Sequence, residues 1–514
     1  MNRFDVAIVG YGPVGMTLAA LLGRQGHKVV VLERYAGLYN LPRAACFDDE
    51  IMRTFQKLGL AGEIGRGAVV QRHYDWVNAD GETLVEIAYA DPAPCGWPQL
   101  YMMFQPHVED ALDRHDKALP TVEVRQGVTV SAMEQDADGV VLHGLDAAGG
   151  AVSVAARYVV GADGGGGLTR RLVSPDLEDY GFQENWLVCD FRLLRHVPGL
   201  PSFRQVCDPA QPISIVTIGP DHHRFSFMLN PGETIEEATD PARVWARVAR
   251  YVTPTDAEMI RVVNYVFRSR IAARWRRGRV LLAGDAAHEM PPFLGQGMCS
   301  GIRDSHNLAW KLDLVLAGRA EDTLLDTYQP ERGPHVRFIT EKAIALGRVQ
   351  TVRDPVLARE RDERLLAERR ANRAPEQLRF PPLRGGLIAD HGGLFPQGPV
   401  RAAGRYGLFD DVVGQGWCIV TSDPALPRQL APVVLEPWRM IGGRLAVVQA
   451  EPGPGGIQDL DGVYGSWFAA NGCTAAVVRP DWYVYGTAGS GDGLAALLDR
   501  LARSLQPRAV PALS

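Results

Sequence analysis

The 514-residue sequence predicts an α/β fold with α+β insertions. Three observations carry this: a strand–glycine–helix–strand unit at the start, a second strand-to-glycine turn far along the chain, and a block of period-two strands between them. In the first unit an apolar strand, Val6 to Val9, runs into Gly10-x-Gly12-x-x-Gly15. A helix-forming run from Met16 to Gly23 follows, then a second apolar strand, Lys28 to Leu32, ending at Glu33-Arg34. Gly10 permits the tight turn, Gly12 lets the backbone approach a pyrophosphate, and Gly15 lets helix and strand pack closely. The helix start at Pro13 and Val14 attracts the anion. Glu33 stands at the spacing of an acid that binds ribose hydroxyls, which points to FAD or NAD rather than a 2′-phosphorylated NADP.

The second turn is Leu281-Leu282-Ala283-Gly284-Asp285-Ala286-Ala287-His288, followed by Gly295-Gln296-Gly297. It places an acid, Asp285, where a sugar or ribityl hydroxyl could bind. Two such sites in one chain suggest a single large cofactor held at both ends, and FAD fits that better than NAD.

The remaining elements follow in order. Asp48-Asp49-Glu50 caps an amphipathic helix that ends near Gly59, and Gln105-Pro106 opens another, His107 to Leu119. Strands alternate from Val122 to Val160, with a hairpin near Ala148-Gly149-Gly150, and Ala162-Asp163-Gly164 ends the last of them. Period-two strands are expected at Trp186–Leu193, Ile213–Ile218, Arg224–Leu229 and Val262–Phe267, with a helix at Pro241–Tyr251. A helix from about Gly297 to Ala317 returns the chain to the first domain. Residues 354–374 read as a charged, solvated helical connector, and proline and glycine thicken at 380–400. Strands Gly416–Thr421, Leu445–Gln449, Thr474–Arg479 and Trp482–Tyr485, with a helix at Asp492–Leu505, then make a last domain. The expected division is a discontinuous cofactor domain (1–177 and 268–350, with 71–100 on the substrate side), a sheet domain (178–267), a connector (351–384) and a C-terminal domain (385–514).

Hydrophobic residues are 46% and charged residues 22%, with net charge −6, so no basic field points to nucleic acid. Arg274-Trp275-Arg276-Arg277-Gly278-Arg279 reads as a solvated loop, with phosphate binding as its alternative. No apolar run is long enough to span a bilayer. The seven cysteines show neither CxxC nor zinc-ligand spacing, so a cytoplasmic protein without structural metal is expected.

The three glycine motifs, in this order, resemble the single-component flavin-dependent aromatic hydroxylases, the group of para-hydroxybenzoate hydroxylase and phenol hydroxylase. Finer features are similar to the 3-(3-hydroxyphenyl)propionate hydroxylase branch: Pro42-Arg43-Ala44, Gly96-Trp97-Pro98, Gln105-Pro106, Cys207-Asp208-Pro209, and Leu325-Asp326-x-Tyr328-Gln329-x-Glu331-Arg332. The resemblance implies a Rossmann-like FAD domain of the para-hydroxybenzoate hydroxylase type and an antiparallel substrate sheet. Val478-Arg479-Pro480-Asp481 resembles that branch's thioredoxin-like C-terminal domain, here without its CxxC. One departure is Asp163-Gly164-Gly165-Gly166-Gly167, where many relatives carry serine at the last position.

The resemblance further implies that NAD(P)H reduces FAD, that O2 forms a C4a-hydroperoxide, and that a phenolic ring is hydroxylated, with 3-(3-hydroxyphenyl)propionate or a related aromatic acid of aromatic catabolism as the candidate substrate. Asp285 is expected to hold the ribityl chain, and Gly295, Gln296, Gly297 and Met298 the flavin edge. Pro292 and Phe293 are expected beside the ring. Arg43 and Gln105 are carried over as FAD contacts, with alternatives open: an Asp48 or Asp49 partner for Arg43, a helix-start cap for Gln105. Asp163 is either an FAD contact or a turn cap, and His288 either a satisfied histidine or a catalytic one. Substrate candidates are Tyr101, Trp186, Arg204, Gln205, His222, Arg224 and Phe293, with Arg204 or Arg224 for a substrate carboxylate and His222 as base or acceptor for a phenol. The alternatives are a larger polyketide-type aromatic (hydroxylation, epoxidation or Baeyer–Villiger oxidation) and a non-catalytic flavin-binding module. A homodimer is compatible with the reading.

Overall fold

The computed structural model describes residues 3–375, 378–453 and 455–505. Its first sheet is built around the strand Arg3–Val9, which lies parallel to Val29–Glu33 on one side and to Ala151–Gly161 on the other. Val122–Gln126 and Val280–Leu282 extend the sheet in parallel. Val6, Ala7 and Ile8 are fully buried, as a parallel strand covered on both faces requires. Helix Pro13–Arg24 begins with proline, whose missing N–H is not needed there. Helix Asp49–Leu58 is capped by Asp48, which accepts from the Ile51 amide at 3.2 Å, and closed by Gly59 at φ 80°.

The period-two block folds into a second sheet of eight strands, ordered 288–289, 257–272, 177–193, 222–228, 213–217, 203–206, 73–77, 83–88. Two of its strands, Leu177–Leu193 and Ala257–Ala272, run far beyond the expected bounds. Register shifts between Asp179 and Gln183 and between Asp190 and Phe191 break their alternation, which hides their length from a period-two reading. Leu187, Phe191, Phe225 and Phe227 pack on Val244 and Val248 of helix Pro241–Val248. The opposite face looks toward the first sheet.

The C-terminal sheet has seven strands, ordered 405–408, 399–402, 457–459, 444–449, 418–421, 475–478, 484–488. Helix Gly491–Leu505 buries Leu494, Leu498 and Leu501. Buried polar contacts join this unit to the cofactor domain. Arg53 clamps Asp410 with two bonds of 2.8 and 2.9 Å and donates to the Phe395 carbonyl at 2.8 Å. The Tyr483 hydroxyl donates to Glu50 at 3.1 Å. Arg479 reaches Glu331 at 2.8 Å.

Two segments differ from the sequence reading. The connector helix, Pro355–Arg370, is not merely solvated: it buries Ala358, Arg361 and Leu365. Leu365 joins Tyr74, Trp76, Leu84 and Cys207 in one cluster, and Arg361 donates to the Cys207 carbonyl at 2.6 Å. Long arginine stems cover apolar surface while their heads stay polar, so charge alone did not reveal the buried stripe. The basic stretch 274–279 is likewise engaged. Trp275 is fully buried, Arg276 pairs with Asp322 and Asp326, and Arg279 donates to the Ala137 carbonyl.

Asp410→Ala leaves the Arg53 guanidinium buried and unpaired, and is expected to destabilise the protein by roughly 3–5 kcal/mol in chemical denaturation. The double replacement Arg53→Met with Asp410→Leu is expected to recover most of that loss.

Candidate active site

A cavity of about 1360 Å³ lies between the carboxyl ends of the first sheet and the inner face of the second. At one end it is walled by the turn Gly10–Val14 and by Glu33 and Arg34. Gly10 takes φ +104°, and a side chain there would collide with the Ala162 carbonyl. A side chain at Gly15 would collide with Gly10, which is why helix and strand approach so closely. A Cβ at Gly12 would face open space, with the Arg43 guanidinium 4.0 Å away. Glu33 accepts from the Tyr11 amide at 2.8 Å and the Tyr35 amide at 3.0 Å, which fixes its carboxylate at the rim.

The alternatives for Arg43 separate cleanly. Asp48 pairs with Arg303 at 2.5 Å and Asp49 accepts from the Cys95 amide at 3.0 Å, so neither holds Arg43. Its guanidinium lies over the Tyr39 ring at 4.9 Å and makes no hydrogen bond or ion pair among the described residues. Gln105 is not the helix cap, a position held by Phe104, and its side chain is engaged within the chain. It accepts from the Arg43 and Ala44 amides at 3.1 and 2.6 Å and donates to Glu109 at 2.6 Å, so it fastens the loop that carries Arg43.

Asp163 lines the cavity while its carboxylate turns back to the Thr169 amide, 3.0 Å away, and the Thr169 hydroxyl. Burial raises its carboxyl above the ordinary range. A side chain at position 167 would collide with that carboxylate. Gly167 therefore makes room for the Asp163–Thr169 contact.

At the other end Gly284 turns at φ +59° against Val14, where a Cβ would lie 2.9 Å from Cγ2. The Asp285 carboxylate faces the cavity and makes no hydrogen bond among the described residues. His288 is buried and bonded to Asp304 at 2.6 Å, and does not line the cavity. Gly295 turns at φ +64° into helix Gly297–Leu316, and the amides of Gly297 and Met298 have no acceptor among the described residues. The Gln296 side chain accepts from Arg303 at 2.9 Å. An open glycine turn with a cation above it, an unpartnered carboxylate and free helix-start amides together fit a dinucleotide carrying a flavin.

The second sheet and its neighbours wall the rest. Phe293 sits in an aromatic cage with ring centroids 5.9 Å from Phe182, 6.0 Å from Trp186 and 6.2 Å from Phe267. Helix Tyr328–Gln350 reaches it through Gly347, where a Cβ would collide with the ring. Trp186, Gln205, Arg224 and Pro292 also line the cavity. Three expected substrate residues do not. Leu100 and Met102 face it, so Tyr101 points away and stacks on Phe47 at 5.1 Å. Phe203 and Gln205 face it, so Arg204 points away to Asp75 at 2.6 Å. His222 lies beyond the cavity's end, stacked on Phe104 at 3.8 Å and bonded to Asp221 at 2.8 Å. Arg224 reaches the cavity with its charge spent: it donates to Asp190 at 2.6 and 3.1 Å and to the Arg43 and Pro42 carbonyls at 2.7 and 2.9 Å.

Comparison with known proteins agrees with this geometry. Residues 3–343 match the FAD binding domain family, and residues 392–504 match the HcaD C-terminal domain. A protein of Rhodococcus jostii strain RHA1, named "Probable NADH-specific resorcinol 4-hydroxylase", is 57% identical over 506 residues, 98% of this chain and 95% of that one. The chain belongs to the FAD-dependent aromatic hydroxylases. A 3-(3-hydroxyphenyl)propionate/3-hydroxycinnamic acid hydroxylase of Mycobacterium sp. strain JLS is 35% identical over 94% of this chain and 89% of that one. Among solved structures, aklavinone-11 hydroxylase with FAD and aklavinone superposes with a TM-score of 0.79 at 25% identity, covering 98% of this chain and 100% of that one.

In this hydroxylase FAD, when bound, supplies the redox and oxygen-transfer chemistry, with NAD(P)H as reductant. The chain's own part is to hold and orient the cofactor and to wall the reacting ring from water. Several residues that shape the site escaped the sequence reading: Thr169 under Asp163, Arg303 and Asp304 behind the flavin-edge turn, and Gly347 behind Phe293. Only Gly347 had a local signal, a glycine within a helical run.

Arg43→Ala is expected to raise the FAD dissociation constant about tenfold or more, as loss of a charge-assisted contact would, while the melting temperature of the FAD-free protein stays the same. Gly347→Ala is expected to displace Phe293 and to raise the fraction of reductant consumed without product, read as peroxide released per NAD(P)H oxidised.

Proposed function

We propose that the hydroxylase acts on a small neutral phenol of the resorcinol type, with NADH as the preferred reductant. The observation that carries the reading is Arg224. With Arg204, which points away, it is one of the two residues expected to meet a substrate carboxylate, and Asp190 and two backbone carbonyls occupy its donors. Arg261 beside it also turns to the Pro42 carbonyl, 3.8 Å from Asp190. Trp186, Val188, Phe203, Val216 and Phe267 supply an apolar wall. Such a wall, beside an arginine whose charge is already paired, favours a flat uncharged ring over a phenylpropionate, whose carboxylate would lose part of its hydration. The Rhodococcus relative's printed activity supports both the substrate class and the reductant.

The proposed cofactor contacts are Arg43 and the Gly12 turn for the pyrophosphate, Glu33 for the ribose, Asp285 for the ribityl chain, and the Gly297 and Met298 amides for the flavin edge. Pro292 and Phe293 stand beside the reacting ring. No helix among the described residues is long and apolar enough to cross a membrane, and the described cysteines are free. A cytoplasmic, homodimeric protein completes the proposal, and sedimentation velocity checks the dimer.

The test is reductant consumption by the FAD-loaded protein with resorcinol or 3-(3-hydroxyphenyl)propionate, with mass analysis of products. Resorcinol is expected to stimulate NADH oxidation and to gain one oxygen, with NADPH much less effective. Stimulation by the phenylpropionate alone would overturn the assignment.

A further inference from the structure

The inner face of the second sheet carries a row of hydrogen-bonding side chains set one per strand. Ser226 pairs across the sheet with Ser214, Ser214 with Gln205, and Gln205 with Trp76. Directly paired residues share a face, and all four line the cavity. Ser226 lies opposite Val188, next to Trp186 and its Phe293 contact, so the row starts near the flavin end and runs away from it.

The polar atoms of this row are unspent. The hydroxyls of Ser214 and Ser226 make no hydrogen bond among the described residues. Trp76, only 6% exposed, closes the row with its ring, its Nε1 being buried away from the cavity. Gln205 is 1% exposed, and its amide makes a single long contact of 3.4 Å to the Val206 carbonyl. Buried polar groups are ordinarily satisfied, and three neighbours in one row with capacity to spare fit an occupant that brings its own donors and acceptors.

We propose that the Ser226–Ser214–Gln205 row binds the ring hydroxyls of a 1,3-dihydroxybenzene and selects such a ring over a monophenol. The spacing is apt. Neighbouring strands lie about 4.8 Å apart, close to the separation of two meta oxygens on a benzene ring, so adjacent side chains of the row meet both hydroxyls with parallel bonds. A monophenol leaves one side chain of the pair unsatisfied, and discrimination against a missing hydroxyl is the strong kind. This rests on the neutral-phenol reading of the same cavity.

The test titrates the FAD-loaded wild type, Ser214→Ala, Ser226→Ala and the double variant with resorcinol and with phenol, reading binding by calorimetry and by the flavin absorbance change. Each serine variant is expected to weaken resorcinol about tenfold and phenol less than about twofold, so that the preference collapses in the double variant. Retained flavin absorbance and melting temperature show that the variants are folded. A wild type that binds resorcinol with a preference unchanged by the variants would overturn the row alone. A wild type that binds neither resorcinol nor another dihydroxybenzene would overturn the neutral-phenol reading, and the row with it.

Discussion

The buried charges of helix Gly297–Leu316 are the constraint on which the rest of the site depends. Asp304 accepts from the Gly284 amide at 3.1 Å, from His288 at 2.6 Å and from Arg332 at 2.8 Å. Despite full burial its carboxyl is held below the ordinary range by His288 and Arg332. One residue earlier, Arg303 pairs with Glu50 at 2.6 Å and Asp48 at 2.5 Å while holding Gln296. Further along, Lys311 pairs with Glu331 at 2.9 Å, and Glu331 also takes Arg479 of the C-terminal unit. The two glycine turns that face the flavin cleft are thus tied to one rigid element. Such networks hold when every partner is present and are costly when one is lost.

This arrangement gives the C-terminal unit a physical role without a redox motif. Through Tyr483 on Glu50, and Glu50 on Arg303, it presses on the same arginine that orients Gln296. Its Asp481 accepts from Asn307 at 3.1 Å and Trp310 at 3.0 Å on the same helix. The motif residues that resemble the phenylpropionate branch serve the same framework. The Tyr328 hydroxyl donates to the Leu282 carbonyl at 3.0 Å, and Gln329 accepts from the Trp275 amide at 3.0 Å. They hold the cofactor cradle.

The cofactor half of the site was legible in the sequence because glycine turns are local. Gly10, Gly284 and Gly295 declare their positive φ by being glycine, and Glu33 and Asp285 stand at fixed offsets from them. The substrate half was not, because facing in a sheet depends on register. Tyr101 and Arg204 were each one position away from residues that line the cavity, and a single step reverses the face. Arg224 lines the cavity, yet its neutralisation by Asp190, from another strand, has no local signature. The partners of Arg303 lie 253 and 255 positions away, at Glu50 and Asp48, so nothing nearby in sequence announces the network.

A cradle prebuilt by these buried charges is expected to receive FAD without rearrangement. A crystal structure of the FAD-loaded protein tests it most directly. The expected result is the pyrophosphate over Gly12 beside Arg43, the ribityl chain on Asp285, the flavin edge at the Gly297 and Met298 amides, and the Asp304 and Arg303 contacts intact. A flavin bound elsewhere in the cavity, or one that breaks the Asp304 or Arg303 pairs to enter, would contradict it.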